Sequence, residues 1–436
     1  MTAWRQLRTL PKPVQLLLIN QFTINAAFYM LMPFLADYLS VSVGLAGWAI
    51  GLVLGLRNLS QQGMFFLGGL LADRFGYKAL IMAGCALRVI AFGLLAVAGS
   101  LPLLLVASAL TGLAGALFNP AVRAYVADES GPCRLEAFSA FNMFYQAGLL
   151  GGPLIGVALL RADFSVVCLV AAALFAVLTL VQARYLPDRG ASVGVPHSMG
   201  GTVGGGALRQ AATNRTFWIF AVAMAGTTLL TYQTYLVLPL YLRSAAVPGS
   251  VGIWVAALFV ISGVTTIATQ SRLTRRLRER STPRTALVWS ALLAAAAFLP
   301  VALASAVGSG TTLLAAALLA GGLLGLASAV SFPFEMGAVV TLSKGRGVAT
   351  HFGLYGTVAG IAVVLGNLGV GAVLDATGRT GVAFIPAILL VAVGLGGALV
   401  LRRLPTLCDP DERAPEVMKR AAQAPVTGRP EPVGVA

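Results

Sequence analysis

Twelve long apolar runs, too little charge to solvate a surface, and basic residues crowded onto alternate connections predict the fold class. It is an all-α membrane protein of twelve transmembrane helices in two pseudo-symmetric six-helix bundles. Apolar residues make up 58% of the 436, charged residues only 10%, and the mean hydropathy is +0.87. A soluble domain carries about 25% charged residues, so a water-exposed surface is excluded. The runs lie near 16–39, 47–71, 79–98, 103–126, 137–160, 165–185, 216–242, 250–270, 285–306, 312–342, 350–374 and 382–401. Each approaches or exceeds the roughly 20 residues that a helix needs to cross hydrocarbon.

The charges orient these spans. Of 30 Lys and Arg, three fall outside (Arg161, Arg243, Arg379), three lie within spans (Arg57, Arg88, Arg123), and the other 24 lie in segments on one side. The positive-inside rule makes that side cytoplasmic, with both termini on it, in a cell (inner) membrane crossed many times. The net charge of +15 is therefore a topological signal. It points to anionic headgroups as partner rather than to nucleic acid.

Taken in order, the first run from Leu16 to Leu39 follows a basic start, yet it exceeds the roughly 7–15 residues of a cleavable signal sequence. It is expected to stay as the first helix. Residues 1–185 form the first set of six spans. Between 186 and 215 Gly, Ser and Pro take over, giving a cytoplasmic linker with a short amphipathic segment near 207–215. Residues 216–404 form the second set, and 405–436 a disordered cytoplasmic tail. The halves echo each other: Pro33 and Pro239 precede the outer loops of the first and seventh spans, while Pro120 and Pro333 interrupt the fourth and tenth. Such repeats are expected of transporters that bind substrate between two halves. The cysteines Cys85, Cys133, Cys168 and Cys408 are scattered, without metal or disulfide spacing.

The connection after the second span reads Gly69-Leu70-Leu71-Ala72-Asp73-Arg74-Phe75-Gly76-Tyr77-Lys78. Its spacing, Gly-x-x-x-Asp-Arg-x-Gly-x-Lys, resembles the loop between the second and third helices of the major facilitator superfamily. The resemblance implies a conformational latch made of Gly69, Asp73, Arg74, Gly76 and Lys78. Asp73 is expected to face the N-terminus of the eleventh helix, where the dipole favours a carboxylate. In the fifth span Gly148, Gly152, Pro153 and Gly156 follow the spacing Gly-x-x-x-Gly-Pro-x-x-Gly. Glycines four apart share one helix face and let a neighbouring backbone approach. This spacing resembles the antiporter signature of the superfamily's drug exporters, although Val157 stands where one glycine of that signature falls.

Arg57, Asn58, Gln61 and Gln62 form one polar stripe of the second span near the bilayer midplane. A lone charge there costs roughly 2.5–3.5 kcal/mol on insertion scales, so it must face protein or a water-filled cavity. Segment 56–63 and Arg88 resemble the multidrug-resistance members of the superfamily. Two roles are open to Arg57, a structural hydrogen-bond hub or a part of proton coupling. Further cavity candidates are Gln21, Asn25 and Tyr29 in the first span, Asn119 and Arg123 in the fourth, Asn142, Tyr145 and Gln146 in the fifth, and Thr228, Thr231, Tyr232 and Tyr235 in the seventh. Aromatics mixed with amides suit a bulky, partly apolar ligand, whereas any one such row also serves as helix–helix glue.

Two departures affect the coupling route. The acid that these exporters often carry in the first span falls at Asn20, and the arginine often found before the glycine of the fourth span is replaced by Ser108, four residues before Gly112. The acids left within the membrane are Asp37 and Glu335. Glu335 is the better proton carrier, since a carboxyl beside Pro333 and apolar neighbours is costly to ionise, with an ion pair to a base as the alternative. No phosphate-binding loop is present, and His197 and His351 have no partner at metal-ligand spacing. The resemblance implies a monomeric, proton-gradient-driven exporter of small amphipathic compounds that is not an enzyme and needs no cofactor. The alternatives are a carrier of one specific metabolite, such as a sugar or amino acid, or an uncoupled lipid mover or sensor.

Overall fold

A computed structural model describes residues 10–160, 163–187, 203–247, 250–307, 310–378 and 384–404. The tail 405–436, linker residues 188–202, Arg161 and Arg379 lie outside the described residues, as do the side chains of Asp37 and Val157. No strand occurs among the described residues. The second to sixth spans are Gly47–Phe75, Tyr77–Val97, Leu101–Ser130, Arg134–Leu160 and Phe164–Tyr185. Helix Val203–Thr213 covers much of the amphipathic segment. The eighth is Val251–Arg280, and the tenth to twelfth are Gly310–Ser343, Val348–Gly378 and Ile385–Arg403. Among the described residues nine helical runs are long and apolar enough to cross a membrane, and one of them, Leu101–Gly156, holds two spans. The first and second spans fall short because amides interrupt the first and Arg57, Asn58, Gln61 and Gln62 interrupt the second.

Three spans are built in two pieces. The first runs Lys12–Tyr29 and resumes at Met32–Asp37, the seventh runs Arg215–Tyr232 and resumes at Val237–Ala245, and the ninth runs Pro283–Ala296 and resumes at Phe298–Val307. In the first and seventh, a proline follows the break. Proline lacks the N–H that would bond the carbonyl four residues back, which is Tyr29 for Pro33 and Tyr235 for Pro239. Equivalent helices of the two halves are thus opened at equivalent points.

Helix pairing repeats with a shift of six. In the N-terminal half the second span packs on the fourth, the third on the fourth and sixth, and the first on the fifth. In the C-terminal half the eighth packs on the tenth, the ninth on the tenth and twelfth, and the seventh on the eleventh. The halves meet mainly through the second against the eleventh and the fifth against the eighth, which exchange under the same shift. Two six-helix bundles related by a pseudo-twofold axis satisfy all of these pairings.

Small residues set the close approaches. The faces of Gly148, Gly152 and Gly156 lie against the backbone carbonyls of Phe22, Ala26 and Met30, so two ladders of period four interlock between the fifth and first spans. A Cβ at Gly152 would stand 2.7 Å from the Ala26 oxygen. Gly76 has another task. It is the only residue between the second and third spans, and its φ of 92° is a left-handed conformation that strains any side chain. Gly152→Val is expected to force the first and fifth spans apart and cost about 1–3 kcal/mol. A lowered melting temperature of the purified protein would register it, and an unshifted one would mean that these helices tolerate separation.

Candidate functional site

One end of the bundle is closed by groups from both halves. The second span remains helical to Phe75, so the polar connection read from the sequence is the last helical turn plus Gly76. That turn carries Asp73, only 9% exposed, to the start of the eleventh helix. Asp73 Oδ1 accepts from the Ala349 N–H at 3.2 Å, and Oδ2 accepts from the Thr350 N–H at 2.7 Å and the Thr350 hydroxyl at 2.6 Å. The Tyr77 hydroxyl donates to Oδ1 at 3.3 Å. Backbone N–H groups in the first turn of a helix lack intrahelical partners and carry the positive end of its dipole, so a carboxylate is the fitting acceptor. Gly69, one turn earlier, has no side chain to hold off the Ala349 carbonyl. Arg74 is exposed, its guanidinium 5.3 Å from the Phe75 ring centre.

The closure continues toward the middle of the bundle. Glu136 pairs with Arg278, Thr274 donates to Ser139 at 3.3 Å, and Asn142 donates to Gln270 Oε1 at 2.8 Å. Gln270 in turn donates to the Ala329 carbonyl at 2.7 Å. Thr357 accepts from the Phe66 N–H and donates to the Gln62 carbonyl, while Phe141 stacks on Phe332. Asn142 is therefore part of this seal, at 3% exposure, and not of an open cavity wall.

Above the seal lies a polar and aromatic centre. Arg57 donates from Nη1 to Asn58 Oδ1 at 3.1 Å and from Nη2 to Gln61 Oε1 at 2.9 Å, and its guanidinium sits 4.4 Å from the centre of the Phe28 ring. Tyr29, Tyr145 and Tyr232 are its electrostatic neighbours. The Tyr29 and Tyr145 hydroxyls are 3.4 Å apart, and the rings of Tyr232 and Tyr235 lie 5.8 Å apart. Tyr355 donates to Glu335 Oε1, and Arg123 lies within electrostatic reach of both. Tyr232 and Tyr235 are 39% and 49% exposed although deep in the chain's helical frame, so they border a crevice. They sit where the broken seventh span opens its backbone.

Other sequence candidates lie elsewhere. Gln21 and Asn25 are buried against the fifth span, with Asn25 Nδ2 donating to the Gln21 carbonyl at 2.6 Å, so of that row only Tyr29 reaches the centre. Arg88 is 6% exposed inside the N-terminal bundle, 5.0 Å from the ring centre of Phe118 and 5.5 Å from that of Phe175. Asn119 donates to the Gly115 carbonyl of its own helix at 2.8 Å, Gln146 is half-buried, and Gln62 packs against Gly360. Sequence reasoning missed Phe28, Thr350, Tyr355 and Gln270, whose partners lie on other helices. Among the described residues no group of His, Cys, Asp and Glu could hold a metal ion. A separate apolar groove of about 400 Å³ between the eighth and tenth spans, lined by Ile261, Leu318, Gly322 and Leu326, bears no ionisable group.

Comparison with known proteins places this geometry. The sequence model of the Major Facilitator Superfamily matches residues 17–324. An uncharacterized MFS-type transporter of Mycobacterium tuberculosis is 47% identical over 398 residues, covering 91% of this chain and 94% of that protein. The multidrug resistance protein MdtH of Klebsiella pneumoniae is 30% identical over 385 residues, covering 87% and 90%. Among solved structures, the Escherichia coli fucose:proton symporter FucP superposes with a TM-score of 0.69 at 18% identity, over 89% of this chain and 98% of that one. A FucP structure in the outward conformation gives 0.67.

Replacing Asp73 tests the closure. A carboxylate at a partly buried helix N-terminus is worth up to about 2 kcal/mol, and the isosteric amide retains one acceptor oxygen but no charge. Asp73→Asn is expected to cut transport severalfold while the amount of protein in the membrane stays at the parental level. Transport at the parental rate would remove Asp73 from the latch.

Proposed function

We propose that this chain, which belongs to the Major Facilitator Superfamily, is a secondary active exporter of small amphipathic compounds, driven by the proton gradient. Multi-pass membrane transport follows from the family; the direction, the substrates and the coupling are our reading. The observation that carries it is the central crevice, where tyrosines and phenylalanines from the first, fifth, seventh and eighth spans surround a small set of polar groups. Such a lining favours bulky, partly apolar ligands over small hydrophilic ones, which would need more convergent hydrogen-bonding groups. The likeness to MdtH, named as a multidrug resistance protein, supports the same reading.

Alternating access uses both ends of this arrangement. The structure has its latch end shut, and on our reading that end is cytoplasmic, with both termini on the same side of the inner membrane and the protein acting as a monomer. Substrate would enter from the cytoplasm once the Asp73 contacts part and leave when they re-form. Among the described residues the crevice holds one carboxyl, Glu335, and Arg123 from the symmetry-related fourth span lies within electrostatic reach of it. An ionised Glu335 is stabilised by Arg123 and by the Tyr355 hydroxyl; a protonated one releases Arg123 from that pairing. This gives a proton and a substrate the means to compete for one site without any cofactor.

In cells stripped of their own pumps, the chain is expected to lower accumulation of several amphipathic dyes or drugs, and an uncoupler should abolish that effect. Efflux that survives the uncoupler, or efflux of no compound in a broad panel, contradicts the reading. In vesicles, Glu335→Gln is expected to lose transport driven by a pH gradient while retaining exchange of labelled for unlabelled substrate. Retained gradient-driven transport would place the coupling proton on another residue.

A further inference from the structure

We infer that the crevice selects amphipathic organic anions, with Arg57 as the group that pairs with the anionic head. The inference rests on the exporter reading above and narrows its substrate class. Arg57 is a full positive charge near the middle of the membrane. The groups in contact with it or beside it in the crevice are uncharged: Asn58 and Gln61 on its own helix, Phe28 and Tyr29 from the first span, Tyr145 from the fifth and Tyr232 from the seventh; the one charged group within electrostatic reach among the described residues is another cation, Arg88 of the third span. No carboxylate among the described residues pairs with it, and its Nε–H has no acceptor.

The charge balance of the whole crevice points the same way. Arg57 and Arg123 contribute two guanidiniums, and among the described residues Glu335 is the one carboxyl beside them, already engaged by Tyr355 and within electrostatic reach of Arg123. The Nε–H of Arg123 also lacks an acceptor. A ligand anion would supply the missing countercharge in a medium where an unpaired ion is costly, and a ligand cation would add to the repulsion. Arginine's planar fork presents paired donors to carboxylate, sulfonate or phosphate oxygens. The aromatic body of such a ligand then lies among Tyr29, Tyr145, Tyr232 and Tyr235, with the Phe259 ring tilted against that of Tyr235, their centres 5.2 Å apart. Arg88 does not share this role, since its guanidinium is enclosed between Phe118 and Phe175 away from the crevice.

The direction of transport also favours an anion. In a cell with a negative interior, moving an anion outward runs with the membrane potential, so an exporter of anions gains from both the potential and the incoming proton.

The test uses two permanently charged probes with the same apolar body: naphthalene-2-sulfonate and a naphthylmethyl-trimethylammonium salt. Binding to the purified full-length protein is measured by calorimetry. The sulfonate is expected to bind about tenfold tighter or more than its cationic twin, Arg57→Gln to erase that preference, and Arg57→Lys to keep part of it. Equal or tighter binding of the cation overturns the inference, as does an unaltered preference in an Arg57→Gln protein that melts like the parent. If that variant does not fold, the preference of the parent and its reduction in Arg57→Lys decide. Absence of binding by either probe also overturns it. Proton-driven efflux of cationic or neutral compounds would refute the anion preference and leave the exporter reading standing.

Discussion

The Asp73 carboxylate set into the first turn of the eleventh helix is the contact around which this structure is organised. Both oxygens are used, by two backbone N–H groups and two hydroxyls. Its strength suits its place. A helix-terminus carboxylate contributes up to about 2 kcal/mol when partly buried, roughly a thirtyfold bias in an equilibrium. That is enough to favour closure and small enough for substrate or proton binding to reverse. The contacts behind it, from Glu136–Arg278 to Asn142–Gln270, line up along the same interface between halves. A hydrophobic seal alone would lack the directionality that makes one arrangement distinct from another.

The pseudo-twofold relation explains why the functional groups converge. The first and seventh helices, related by a shift of six, are broken at matching points, and the fourth and tenth, each with an internal proline, carry Arg123 and Glu335. Opening the first and seventh helices at midplane puts Tyr29, Tyr232 and Tyr235 beside irregular backbone, where a cavity can satisfy the freed peptide groups. Packing and chemistry are thus divided by residue type: the glycine ladder of the fifth span lets it approach the first closely, and polar side chains line the interface between the halves.

Much of this was legible in the chain. The twelve spans follow from run length and charge placement, and the matching positions of Pro33 and Pro239 pointed to the internal symmetry, though not to the breaks in the first and seventh helices. What the sequence could not separate was which polar residue faces which neighbour. Gln21, Asn25 and Tyr29 share one stripe by spacing, yet the first two face the fifth span and only the third reaches the crevice, because the helix ends at Tyr29. Arg57 and Arg88 look alike as lone charges in apolar runs. One faces the crevice and the other is clasped by Phe118 and Phe175, a difference set by helix rotation within the bundle, which composition does not encode. The partners of Glu335 and Asp73, Tyr355 and Thr350, lie on the eleventh span and were hidden for the same reason: no local pattern links them.

If Asp73 biases one end of the bundle toward its closed state, its removal opens that end. Spin labels at Phe75 and Lys344, both exposed on opposite halves at that end, report it directly in a background without the native cysteines. Distance distributions from pulsed dipolar spectroscopy in lipid should show a predominantly short separation in the parent and a shift of population to longer separations in Asp73→Asn. Superimposable distributions would contradict the claim.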